Sequence, residues 1–201
     1  MLKNLGRSAA VLALVGGVAC VPQASVRTQV PPPAAPGGTY RVSICSGACA
    51  ADESNLLVAG ILVLTPQPFA LDRLSEAAQR HLRERDPWLL VALWEFGREP
   101  NACFALETRP GASTLAGTSR ARITDWRSSE RGITVSLWVS PDAGYAAELR
   151  PDGPDLRGDG FTWGMGGGYQ QTTETIFAAY IGPPDLDRCL QAIEAEAARR
   201  R

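Results

Sequence analysis

Apolar side chains recur with a period of two through most of this chain, and turn-forming residues interrupt the pattern at short intervals. That combination constrains the fold more than any single motif. Ile133, Val135, Leu137 and Val139 alternate with Thr134, Ser136 and Trp138, and Tyr40, Val42 and Ile44 alternate with Arg41 and Ser43, the signature of strands with one buried face. Leu56 to Leu64, Leu89 to Phe96, Cys103 to Thr108, Arg120 to Trp126, Tyr145 to Arg150, Leu156 to Trp163 and Thr173 to Ile181 are further candidates, making about nine strands. Between the later ones stand Ser128-Ser129-Glu130-Arg131-Gly132, Ser140-Pro141-Asp142-Ala143-Gly144 and Pro151-Asp152-Gly153-Pro154. Glycine, proline and short polar side chains favour tight turns, and connections this short join antiparallel neighbours, so the strands form a meander.

Two segments break the alternation. Leu71, Leu74, Ala78 and Leu82 share one helical face, which predicts an inserted helix over Asp72 to Asp86 that Pro87 stops. After Pro183-Pro184, Asp185 is suited to cap a C-terminal helix carrying Leu186, Cys189, Leu190, Ile193 and Ala197 at helical spacing. It ends on three arginines, where the helix dipole favours cations. The predicted fold is mainly β: an antiparallel meander that hides its edges by closing into a small β-barrel, or alternatively by folding into a β-sandwich, with one inserted helix and a C-terminal helix. In outline this resembles the calycin and lipocalin group, up-and-down barrels with a C-terminal helix outside. Gly38-Thr39-Tyr40 stands where that group carries its Gly-x-Trp signature.

The first seven residues carry Lys3 and Arg7 and no acid, and Ala9 to Ala19 are apolar or glycine. A charged leader followed by a short apolar run reads as an export signal; a membrane span would need about 20 apolar residues. Gly17-Val18-Ala19-Cys20 resembles the lipobox of bacterial lipoproteins, with Gly17 where that motif normally has Leu or another branched residue. The resemblance implies cleavage before Cys20, acylation of Cys20 and anchoring in a membrane. Val21, where Asp would retain an enteric lipoprotein at the inner membrane, implies the outer membrane facing the periplasm. An ordinary secretory signal, leaving Cys20 a thiol, is the alternative. Residues 21 to 38 hold Pro22, Pro31, Pro32, Pro33, Pro36 and Gly37-Gly38 and cannot bury enough surface to fold. The chain therefore divides into a signal peptide (1–19), the lipidated cysteine and Pro-rich tether (20–38) and a single β-rich domain (39–201).

From Cys20 onward the chain has 18 arginines against 21 acids and no lysine, three more negative charges than positive. Nothing here attracts nucleic acid. Arginine without lysine in a chain rich in Ala, Gly and Pro reads as the codon bias of a GC-rich genome rather than as function. Cys45, Cys49, Cys103 and Cys189 are an even number in an oxidising compartment, and three pairings are open. Cys45 and Cys49 flank a loop tight enough to join them, which leaves Cys103 to pin Cys189 of the terminal helix. A metal or redox site on Cys45-x-x-x-Cys49 has the wrong spacing.

The remaining candidates are weak in chemistry. His81, the one histidine, stands among Arg80, Arg83 and Arg85 and is expected to be a solvated surface residue rather than a general base. No Gly-x-Ser-x-Gly elbow and no histidine cluster occurs. Glu95, Glu107 and Glu148 could supply a glycosidase-type carboxylate pair only by facing one cavity. Asp152 to Asp159 lacks calcium-loop spacing and reads as a hairpin. Gly164 to Gly168 lacks the Lys-Ser/Thr of a phosphate loop and reads as a connection between strands. Trp94, Trp126, Tyr145, Phe161 and Trp163 are the candidate pocket, lining an apolar cavity or simply filling the barrel. No catalytic residue, metal or cofactor is expected. The chain reads as a lipid-anchored, non-enzymatic envelope protein that binds an apolar ligand or a protein partner in the periplasm. A carboxylate-based envelope enzyme acting on glycans and a structural accessory of an envelope complex are the alternatives.

Overall fold

A computed structural model describes residues 37–50, 53–85, 100–107, 121–139, 143–164 and 168–199. The predicted signal peptide, Cys20 and residues 21–36 of the predicted tether lie outside the described residues, as does the predicted strand Leu89 to Phe96; Gly38, assigned to the tether from sequence, instead opens the first strand. Within them the chain forms β1 (Gly38–Ser46), β2 (Leu56–Leu64), α1 (Glu76–Arg85), β3 (Ala102–Glu107), β4 (Ala121–Thr124), β5 (Trp126–Ser129), β6 (Gly132–Val139), β7 (Ala143–Asp152), β8 (Asp155–Gly164), β9 (Gly168–Gly182) and α2 (Leu186–Arg199). The strands form one antiparallel sheet in the order β4-β3-β2-β1-β9-β8-β7-β6-β5, a meander nearly closed into a barrel. Its first and last strands are partners, Val42 opposite Ala178 and Ile44 opposite Ile176.

The two ends of the sheet meet where the chain bends. The sequence predicts one strand over Arg120 to Trp126, but Asp125 divides it: β4 pairs with β3 and β5 pairs with β6. At this corner the Ser136 amide donates to the Asp125 carbonyl at 3.1 Å, and the Thr124 hydroxyl donates to the Ser136 carbonyl. Changing partner at a bend brings the two edges of the sheet, β4 and β5, together at one corner and shortens the open seam.

Alternation sends Val42, Ile44, Leu62, Leu64, Phe104, Val135, Leu149 and Ile176 into one interior cluster. On the other face of β2 to β4, Ile61, Val63, Cys103 and Ile123 meet Leu74, Ala78 and Leu82 beside α1, and Leu186, Leu190 and Ile193 of α2. β2 is thus covered on both faces, and its run Leu56 to Leu64 is apolar nearly throughout for that reason. At Gly60 a Cβ would come within 2.7 Å of the Phe104 ring and of the Ala105 carbonyl, so the ring packs on bare backbone.

The helices are fixed by their ends. The inserted helix begins at Glu76 rather than Asp72, because Leu71–Arg73 forms a 3-10 turn and the Ser75 hydroxyl accepts the Ala78 amide at 3.2 Å as an N-cap. Asp185 caps α2 as its sequence predicts, its carboxylate accepting the Arg188 amide at 3.1 Å. The Asp185 amide also donates to the Thr39 hydroxyl at 2.8 Å, which donates to the Pro183 carbonyl at 2.7 Å, tying the start of α2 to the first strand. His81 departs from expectation: it is 7% exposed, not solvated. It follows Ala78 by three residues and adjoins Leu82 on the stripe that α1 turns toward α2, whereas Arg80 and Arg83 take the exposed side. Its Nε2 lies 3.7 Å from the Glu196 carboxylate.

Candidate functional site

Of the predicted pocket aromatics whose side chains are described, Trp126 and Tyr145 meet at the interior cluster and Phe161 does not. Trp126 lies in the interior cluster, and its indole N–H donates to the Thr65 carbonyl at 3.0 Å. Tyr145 packs against the same cluster, its hydroxyl over Gly160, where a Cβ would lie 2.0 Å from it. Phe161 is opposite Ala146, whereas Tyr145 is opposite Thr162, so the register puts Phe161 on the other face of the sheet. Trp163 pairs with Gly144 through its backbone, and its side chain and the whole of Trp94 lie outside the described residues.

The Tyr145 hydroxyl is buried and closes no hydrogen bond, and neither does Oε2 of Glu174. Burial, and then the Glu174 charge, push the Tyr145 phenol up to about 12. Thr172 opposes the shift, although its own hydroxyl proton goes to the Gly160 carbonyl at 2.9 Å. A phenol held neutral in the fold but ionising near 10 in the unfolded chain stabilises fully below pH 10. That contribution is lost as pH rises from 10 toward 12. Tyr145→Phe is expected to flatten the alkaline loss: its urea midpoint should change less between pH 9 and 11.5 than that of the native chain, and equal changes would refute the assignment.

The chemistry gathers instead on the outer wall. Pairing of β1 with β9 sets Arg41 opposite Ala179, Ser43 opposite Phe177 and Cys45 opposite Thr175. On the next strand Arg157 is opposite Phe177, its guanidinium 5.3 Å from the ring centroid. These side chains, with the β1–β2 loop above them, line a groove of about 530 Å³. The loop is fixed several times over. Cys45 and Cys49 are joined, with their Cα atoms 5.2 Å apart. The Asn55 amide donates to the Ser46 and Ala48 carbonyls at 2.9 and 2.6 Å and accepts the Ala50 N–H at 2.9 Å. Glu53 adopts φ 58°, the one non-glycine residue with positive φ among those described. Such a residue costs about 1 kcal/mol and persists only where its surroundings over-determine it.

Ion pairs whose arginines are exposed surround this groove. Arg157 is 3.3 Å from Asp152, and Glu107 lies 4.0 Å from Arg41 and 3.8 Å from Arg188. The Arg157–Asp152 pair, exposed on both sides, contributes little and is readily exchanged.

The other sequence candidates resolve individually. Glu107 faces outward on β3; Glu148, between buried Ala147 and Leu149, faces outward on β7; four strands separate them, and Glu95 lies outside the described residues. Asp152 and Asp155 flank a two-residue hairpin with Gly153 at φ 64°, a backbone position that suits glycine, and Asp155 accepts the Tyr180 amide at 2.8 Å. Gly164 and Gly168 pair across the connection between β8 and β9. Cys103 and Cys189 are joined, with Cα atoms 6.2 Å apart. No three metal-ligating side chains converge among the described residues.

Sequence reasoning missed Arg41, Ser43, Arg157, Thr175 and Phe177. The alternate spacing of Arg41-Ser43-Cys45 and Thr175-Phe177-Ala179 marks each set as one face. Only the pairing of the first strand with the last makes the two faces one surface. Compared with protein-family models, curated proteins and solved structures, the chain matches none.

Proposed function

We propose that this chain is a lipid-anchored bacterial envelope protein, held to the outer membrane through Cys20 and facing the periplasm. Its barrel is a binding module rather than an enzyme, and it receives an apolar ligand in the outer-wall groove. The observation that carries this reading is the described part of the β1–β2 loop, closed by a disulfide, bracketed by Asn55 and strained at Glu53, over a floor that includes Phe177 and Ala179. Stiff loops on a rigid scaffold are where binding sites concentrate. Two disulfides suit an oxidising compartment such as the periplasm. The outward and widely separated Glu107 and Glu148 give a glycan hydrolase no shared carboxylate pair.

The test is native mass spectrometry of residues 21–201 exported to a periplasm without lipid. The expected result is a species heavier than the chain with two disulfides by one small molecule, released on denaturation and absent from a Phe177→Asp variant that melts at the native temperature. A native mass equal to the bare chain turns the reading toward a protein partner or a structural role.

A further inference from the structure

The groove joins two kinds of surface. Phe177, Ala179 and Leu56 make part of it apolar, while Arg41 on β1, level with Ala179, and Arg157 on β8, level with Phe177, approach β9 from opposite sides; Ser43 shares the Phe177 level and Thr175 lies one step further along β9. Against two guanidiniums the lining holds one acid, Glu53. This locally positive site belongs to a chain whose formal net charge is −1. Arg41 lies 4.0 Å from Glu107, which is 26% exposed, and Arg157 lies 3.3 Å from Asp152, which is 58% exposed. A long contact such as that of Arg41 with Glu107 and a solvated partner such as Asp152 yield to an anion that both arginines can reach. Arg157 already stacks on Phe177, so a chain laid on that ring lies beside a guanidinium. A volume of about 530 Å³ suits one single-chain molecule.

Building on the ligand-site reading above, we propose that the groove binds single-chain amphipathic anions: a carboxylate or phosphate-monoester head between Arg41 and Arg157 at the Ala179 end, and an aliphatic or aryl tail running across Phe177 toward Leu56. The experiment is calorimetric titration of residues 21–201 with decanoate and with decanamide, which has the same length and no charge. Decanoate is expected to bind at least tenfold more tightly, with the advantage shrinking in high salt. Arg41→Met and Arg157→Met should each weaken decanoate about tenfold and leave decanamide within about twofold, since methionine keeps the apolar stem and removes the charge-assisted contact. Native thermal midpoints and two intact disulfides in both variants show that the fold is kept. Equal affinity for the two probes, or decanoate binding unchanged in the Arg41→Met/Arg157→Met double variant, overturns the anion assignment while the groove stands as an apolar site. Binding of neither probe overturns both.

Discussion

Replacing Cys103 and Cys189 together by alanine is expected to cost the domain about 4–5 kcal/mol, because the bridge closes a loop of 86 residues in sequence separation and so removes much of the freedom of the unfolded chain. Both sulfurs belong to fully buried residues between β3 and α2, beside Ile123, Leu190 and Ile193. Without the bridge, α2 depends on its apolar stripe and on the contacts of Thr39, Ser75 and Arg73 with Asp185, Glu194 and Asp187. For a domain of this size the loss corresponds to a fall of roughly 10–15 °C in melting temperature. Cys45 and Cys49, only 4 residues apart, supply the control: in the same model their removal costs about 2 kcal/mol. Calorimetry of the two double variants tests the ranking. If the Cys103/Cys189 variant melts no lower than the Cys45/Cys49 variant, the long bridge is not what secures α2.

Glu196→Ala should cost about 2–4 kcal/mol, the second largest effect. Glu196 is 3% exposed on α2, and its two carboxylate oxygens face different elements: Oε2 accepts the Ala121 amide at 3.2 Å, and Oε1 lies 3.7 Å from His81 of α1. One side chain therefore joins the edge strand β4 and both helices. Truncation leaves a buried N–H without its acceptor and a buried imidazole without its carboxylate, and orphaned buried polar groups lose their full desolvation cost. Glu196→Gln keeps an acceptor for Ala121 and should recover at least half of the loss. Combining Glu196→Ala with His81→Ala should cost less than the sum of the single changes by about 1 kcal/mol, as groups in direct contact do. Strict additivity in urea melts would show that the two side chains do not interact.

Much of the barrel is legible in the residues themselves. β2 matches its apolar run because both its faces are covered, and α2 starts where Asp185 offers a carboxylate to the Arg188 amide. The disulfide partners follow from the tightness of the Cys45–Cys49 loop, which leaves only one other pair. What sequence could not supply were consequences of closure. Alternation assigns Arg120 to Trp126 one strand but cannot say that it exchanges β3 for β6 at Asp125. His81 reads as surface when its arginine neighbours are weighed, yet a helical period also places it beside Ala78 and Leu82, and the burial of that stripe wins. The groove was invisible for the same reason as the corner: Arg41 and Phe177 are far apart in the chain and share a surface only because β1 pairs with β9.

That pairing also bears on how the protein is made. A chain delivered from its N-terminus produces β1 about 120 residues before the start of the strand that must lie beside it, an interval on the order of ten seconds at ordinary synthesis rates. Throughout it, one edge of β1 can hydrogen-bond only to water or to the wrong strand. β9, the longest strand among the described residues, is the stave that β1 needs before an open ribbon can become a wall.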